Sequence, residues 1–201
     1  SGTGPDLVMP GSDEFPAFMH DYVYHFALSK RVIAAMSGPA AGVGFVLACY
    51  TDIRFAVPGA KLTTAHGPLN LPVECGLSWL LPRLIGGSRA TELLISSRKF
   101  LTDEACELGL IHRLVEPQNL MAEVRAYAID MITRNSPESL RQSKRQTYID
   151  WHRDVGTAPR QAADFLRAMA NKPLYRLAIK HSQNNQPHTT SELSHRPQQT
   201  P

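Results

Sequence analysis

Residues 31–56 read RVIAAMSGPAAGVGFVLACYTDIRFA, and no other stretch limits the possible folds as much. Arg31–Met36 reads as a strand, Ser37–Gly42 as a loop of small residues, Ala41–Tyr50 as a buried helix and Asp52–Val57 as a second strand. Glycine and alanine at the mouth of a helix let backbone approach a ligand closely. The free N–H groups and positive dipole end of a helix start suit a phosphate or a developing oxyanion. Phosphate fails on both of its common patterns. A Walker A loop needs a lysine directly after its last glycine, and neither Gly42 nor Gly44 is followed by one; the dinucleotide fingerprint GxGxxG has Leu47 where its third glycine belongs. An oxyanion remains. So does a plainer reading, in which the small residues only let a helix pack tightly on a strand.

The alternation continues downstream. Lys61–Thr64 reads as a short strand, and Gly76–Ile85 and Ser88–Ser96 as helices. Thr102 is placed to cap a helix whose first turn holds Asp103 and Glu104 and which Gly109 ends. Ile111–Val115 reads as a strand. After Pro117 only helices follow: Asn119–Arg134, a helix opened by the Ser136 cap with Pro137 in its first turn, and Thr157–Ala170. Strands and helices to about residue 115, then helices alone, imply a mixed α/β core with a helical C-terminal lobe. The expected organisation is a core over residues 1–135, a lobe over 136–180 and a disordered tail over 181–201. In that tail Leu193 is the one aliphatic residue, too little to offset the entropy of ordering. Residues 1–30 hold one helical candidate, around Phe15–Leu28.

Several function classes are excluded. With 43% hydrophobic and 19% charged residues the composition is that of a soluble domain, and no apolar run approaches the roughly 18 residues of a membrane span. Cys49, Cys75 and Cys106 show no CxxC spacing, which suits free thiols in a reducing, cytoplasmic setting. A net charge of +3 is spread along the chain, so nothing points to nucleic acid. The serine-hydrolase motif GxSxG fails at Leu80. HExxH is absent, and His20 and His25 are spaced off a common helical face, so no metal site is expected.

The second feature is LNLPVECGLSWLLPRL, residues 69–84. Glu74 is the one acid between Asp52 and Glu92 and has apolar neighbours in sequence. A carboxyl enclosed by such neighbours would hold its proton into the neutral range, as a general acid/base requires. The alternative is an exposed acid complementing the dipole of the helix that follows.

The segments KRVIAAMSGPAAGVGFVLACYTDIRFA, AKLTT and GLSWLLPRLIGGSRATELLISSRKFLTDEACELGLIHRLVEP together resemble the crotonase, or enoyl-CoA hydratase/isomerase, superfamily, over about Ala27 to Pro173. The resemblance implies a ββα spiral core with a C-terminal helical trimerisation lobe, often as a dimer of trimers. It implies an acyl-CoA substrate, no cofactor beyond the coenzyme A of that substrate, and no nucleic acid or membrane partner. It places one backbone oxyanion donor at the amide of Val43, with Pro39, Ala41, Gly42 and Gly44 against the substrate. The family's second donor lies on an upstream loop of which SGTGPDL is at best an echo, so the resemblance implies a domain incomplete at its N-terminal end.

The two glutamates of the hydratases would fall at Val46 and His66. Val46 has no proton to exchange; His66 is a candidate base, since an imidazole titrates near neutrality, or a plain loop residue. Glu74 matches a third position, used by aryl-CoA dehalogenases and by some enoyl-CoA isomerases. The resemblance thus implies an enzyme in which Glu74 moves a proton, most simply in double-bond isomerisation. The competing reading is a catalytically inactive scaffold or binding subunit. Arg83, Arg89 and Lys144 either meet coenzyme A phosphates or coat the surface.

Overall fold

Two small sheets organise the first part of the chain. The structure is a computed structural model that describes residues 23–170 together with 172, 173, 175, 176 and 179. The N-terminal SGTGPDL segment, the part of the Phe15–Leu28 helical candidate before Val23 and the tail over 181–201 lie outside the described residues. After a short helix α1 (Tyr24–Ala27) come β1 (Ile33–Met36), β2 (Ala40–Ala41), α2 (Val43–Cys49), β3 (Ile53–Ala56) and β4 (Lys61–Thr63). A 3-10 turn (Gly67–Leu69) precedes α3 (Leu77–Ile85), α4 (Gly87–Ser96), β5 (Phe100–Leu101), α5 (Thr102–Glu107) and β6 (Arg113–Leu114). A second 3-10 turn (Pro117–Asn119) leads into α6 (Leu120–Arg134), α7 (Pro137–Asp150) and α8 (Thr157–Ala170).

One sheet has the order β1-β3-β6 and is parallel throughout, with Ile33 opposite Ile53 and Phe55 opposite Arg113. Parallel neighbours need a crossover between them, and α2 lies in the crossover from β1 to β3. The other sheet has the order β2-β4-β5, parallel between β2 and β4 and antiparallel between β4 and β5. β2 and β5 have no counterpart in the sequence reading. Two residues are too few to show a period; pairing with β4 makes them strands.

The chain divides into two compact units, Ser1–Val124 and Arg125–Pro201. In the first, Phe45, Phe55, Leu62, Leu77, Leu80, Leu81, Leu93 and Leu110 are almost fully buried. Phe45 meets Phe100 edge-on at 5.7 Å, which seats α2 beside β5. α2 is amphipathic rather than wholly buried as expected: Phe45, Val46 and Cys49 face inward, whereas Val43 and Leu47 are exposed.

The DIRFA segment explains how α2 is held. The Arg54 guanidinium is buried and donates to the carbonyls of Ala48 and Cys49 at the end of α2, at 3.3 and 3.2 Å. Its Nε donates to the Leu110 carbonyl at 2.7 Å. A cation at a helix C-terminus answers both the unpaired carbonyls and the dipole.

One expected cap is corrected. Thr102 is the first residue of α5, and its cap position, Leu101, makes no side-chain bond. The buried Thr102 hydroxyl instead donates to the Val57 carbonyl at 2.7 Å and accepts from the Ala60 amide at 3.1 Å. It pins the turn between β3 and β4, because a fully buried hydroxyl has to be paired. Gly109, at φ 80°, follows α5 as expected.

In the second unit Ser136 caps α7 as read from sequence, accepting from the Ser139 amide at 3.1 Å with Pro137 in the first turn. Glu138 accepts from Arg141, Gln142 and Lys172; the Arg141 hydrogen bond foremost pulls its carboxyl down to about 2. Lys144 is buried, not surface-coating, with its ammonium 5.9 Å from the Tyr148 ring. Arg145 lies over Phe165 at 5.2 Å, joining α7 to α8.

Candidate active site

The start of α2 is shaped by backbone. Gly42 has φ 50° and ψ −125°, a conformation that residues with a Cβ rarely adopt. Its N–H donates to the Thr63 carbonyl at 3.2 Å, and its own carbonyl accepts from Val46 at 3.0 Å. The first helical amides, those of Val43, Gly44 and Phe45, therefore have no acceptor inside the helix. A Cβ added at Gly38, Gly42 or Gly44 would meet no atom of the described residues within 4 Å. Among the described residues, then, these glycines are not needed for tight helix–strand packing. Pro39, Ala41, Val43 and Gly44 are all exposed around this opening.

Glu74 lies on the turn into α3, and its carbonyl accepts from the Leu77 amide at 3.1 Å. Of the two readings of Glu74, an acid enclosed by its apolar neighbours or an exposed one, the described residues match the second: Glu74 is exposed. Leu77, Leu80 and Leu81 turn into the core, while Leu71 and Pro72 are themselves exposed. Residues adjacent in sequence diverge here because Cys75 and Gly76 both take left-handed backbone, at φ 54° and 68°. The Tyr50 hydroxyl donates to the Cys75 carbonyl at 2.8 Å, tying the end of α2 to the residue after Glu74.

His66 is partly exposed and heads the 3-10 turn, its carbonyl accepting from the amides of Leu69 and Leu71 at 3.1 and 3.0 Å. Its loop hangs on Ser97, a buried residue that ends α4 at φ 48°. The Ser97 hydroxyl pairs with Thr64 at 3.0 Å and accepts from the Gly67 amide at 3.1 Å. The Gly42–Thr63 hydrogen bond sets the start of α2 beside the end of β4, three residues before His66. All three candidate segments are thus fastened to α2 or β4. Val46, where the hydratase pattern has a glutamate, is buried and apolar.

Tyr50, Ser97 and Arg54 organise this site and escaped the sequence reading. Their one signal is a polar group at the end of an apolar run, for Tyr50 and Ser97, or inside one, for Arg54. Arg83, at the exposed side of α3, lies 4.0 Å over the Trp79 ring and donates to the Trp79 carbonyl. The three cysteines are free, and burial pushes the Cys49 thiol up to about 12, which removes it as a nucleophile. Among the described residues no cluster of His, Cys, Asp or Glu is arranged to hold a metal, and no helix is long and apolar enough to cross a membrane.

Comparison with known proteins gives the site a context. A family model described as enoyl-CoA hydratase/isomerase matches residues 16–180. The chain is 31% identical over 175 residues to the 1,2-epoxyphenylacetyl-CoA isomerase of Escherichia coli, covering 82% of this chain and 65% of that protein. It is 40% identical over 111 residues to a probable enoyl-CoA hydratase of Mycobacterium tuberculosis, covering 55% and 39%. The crystal structure of an enoyl-CoA hydratase/isomerase from Cupriavidus metallidurans aligns with a TM-score of 0.75 at 32% identity, over 81% of this chain and 61% of that one. The chain spans less than two thirds of the length of each of these three proteins. Parallel pairing around a glycine-opened helix, followed by helices, is the crotonase fold, and this chain belongs to the enoyl-CoA hydratase/isomerase family.

Proposed function

We propose that the chain acts on an enoyl-CoA thioester by way of an enolate. The thioester carbonyl sits at the start of α2, where the Val43 N–H donates to the oxygen as negative charge develops, with Gly42, Gly44, Pro39 and Ala41 against the substrate. The Glu74 carboxylate takes a proton from a carbon of the acyl chain. The resulting dienolate is held by the amide, and the carboxylic acid returns the proton to another carbon, so that the double bond moves. Nothing is consumed, and no cofactor beyond the substrate's coenzyme A is needed. One carboxylate suffices for such a shuttle, whereas hydration calls for a further group to position water. His66 is the nearest candidate for that second role.

The observation that carries this reading is the Val43 amide at the first position of α2, behind Gly42 in a backbone conformation that favours glycine, with no described atom within 4 Å of a Cβ built at Gly42 or Gly44 and a tyrosine link to the turn bearing Glu74. A single oxyanion donor is worth about 2.7–4 kcal/mol of transition-state stabilisation. The test is the rise in ultraviolet absorbance as unconjugated 3-butenoyl-CoA becomes conjugated crotonyl-CoA on incubation with the protein. Glu74→Gln is expected to lower the rate by about 10²–10⁴-fold, the ordinary range for general acid/base catalysis. Equal rates for the two proteins would remove Glu74 from the chemistry.

A second reading, an inactive scaffold, is favoured by one observation: Val46 is apolar and buried where the hydratase pattern needs a carboxylate. Both readings accommodate self-association, as a trimer or dimer of trimers. Ile129, Ile132, Val155 and Leu166 of the second unit are more than half exposed, and a stretch with so many exposed large apolar side chains suits an interface.

A further inference from the structure

Tyr50 stands one residue beyond α2 and is 1% exposed, its ring against Phe26 at a centroid distance of 5.3 Å. Burial pushes its phenol above the ordinary range, so the hydroxyl stays protonated and remains a donor. It donates to the Cys75 carbonyl, 25 residues away, at 2.8 Å. Cys75 is a non-glycine residue in left-handed backbone, a conformation that persists only where surrounding structure imposes it. A Cβ at Gly76 would lie 2.7 Å from the same hydroxyl oxygen. One oxygen atom therefore fixes the carbonyl directly after Glu74 and closes the next position to any side chain. The Tyr50 N–H meanwhile bonds to the Val46 carbonyl at 3.1 Å, so the tyrosine is itself fixed to α2.

We infer that Tyr50 is a positioning residue: its hydroxyl clamps the Cys75–Gly76 turn and so sets where the Glu74 carboxylate stands relative to the Val43 amide. The inference rests on the proposed role of Glu74 as proton carrier. Its physical content is the separation between donor and acid, since a misplacement of about 1 Å can cost about 10²-fold in rate.

Tyr50→Phe removes the oxygen and keeps the ring. Amide hydrogen exchange reads the turn without turnover, because the Leu77 amide donates to the Glu74 carbonyl. Leu77 exchange is expected to rise about tenfold while the amides of β1 and β3 keep their rates. With 3-butenoyl-CoA, kcat is expected to fall about tenfold and KM to stay within about twofold, the signature of a loss felt mainly in the transition state. Adding Cys75→Asn, which tolerates left-handed backbone better, is expected to restore part of kcat.

Unchanged Leu77 exchange overturns the inference, and so does opened exchange with unchanged kcat. Equal increases across β1 and β3 make Tyr50 a general stabiliser and overturn it as well. Loss of activity in Glu74→Gln but not in Tyr50→Phe sinks the positioning role alone. Glu74→Gln as active as the unaltered protein, or an inactive unaltered protein, sinks the underlying reading together with it. Should Tyr50→Phe fail to fold, Gly76→Ala presses a Cβ against the same hydroxyl with Tyr50 retained. The same split in exchange and kinetics is then expected, and its absence overturns the inference.

Discussion

The segment Ser37–Arg54 and the segment Thr64–Gly76 supply the two halves of the candidate site, and they are held by different means. The first is fixed by backbone and by the core. Gly42 shapes the helix start, β2 and β4 flank it, Phe45 seats the helix, and Arg54 ties off its end. The second contains Ala65, Asn70, Cys75 and Gly76 in left-handed backbone and is suspended from side-chain hydroxyls on other elements, those of Ser97 and Tyr50. A site that must hold one oxygen still while a proton moves beside it can draw on both modes: a donor on a rigid element and an acid on a turn. The comparison predicts that cutting an anchor of the first segment damages the whole fold, whereas cutting one in the second acts locally.

Arg54→Met is the severest test. It takes the side-chain donor from the buried carbonyls of Cys49 and Leu110, while Ala48 keeps its bonds from Thr51, and a loss of about 3 kcal/mol or more in urea unfolding is expected. A loss under about 1 kcal/mol would mean that α2 does not depend on this anchor.

Ser97→Ala comes next. It leaves the buried Thr64 hydroxyl and the Gly67 amide without their partner, so a stability loss of about 1–2 kcal/mol is expected, with amide exchange raised at Gly67 and the following turn and unchanged in β1. Equal rises in both places would erase the distinction between the two segments.

The smallest expected effect concerns pH. Desolvation of the His112 ring, helped by the Arg54 charge, lowers its pKa, and its Nδ1 accepts from the Arg54 amide at 3.2 Å. A group whose folded pKa lies below its unfolded value of about 6.5 binds its proton more readily when unfolded. Its contribution to stability is whole above that pH and is lost as pH falls through the window down to the folded pKa. Since the His112 ring is only partly removed from solvent, the slope is shallow. Urea midpoints for His112→Gln are expected to decline less below about pH 6.5 than those of the unaltered protein; parallel declines would remove His112 from the anchoring of β3.

Much of the fold was legible in the sequence, and the reason is local. The helices from Leu77 to Ala170 announce themselves by apolar period and by caps such as Ser136 and Gly109, because helix formation draws on residues three and four apart. β2 and β5 were invisible, since a two-residue strand exists by virtue of its partner. The same division runs through the site. Gly42 and Gly44 mark an opened helix start directly in the sequence, and among the described residues no atom lies within 4 Å of a Cβ built at either. For Glu74 the sequence left two readings open, an acid enclosed by apolar neighbours or an exposed one, and the left-handed Cys75 and Gly76 separate the exposed Glu74 from Leu77, Leu80 and Leu81 in the core.

The sequence by itself determined the order of strands and helices other than β2 and β5, the glycine-opened start of α2, the free thiols and the family, because each is written in residues close together or in a recognisable order. Only the tertiary structure decided that Arg54 would close α2, that Ser97 would hold the His66 loop and that Tyr50 would fasten the turn after Glu74. Each of those contacts except the Arg54 cap joins residues 25 or more apart. The Arg54 cap depends on β3 folding back along α2. A hydroxyl or guanidinium carries no record of which distant carbonyl it will meet until the core that buries both has formed.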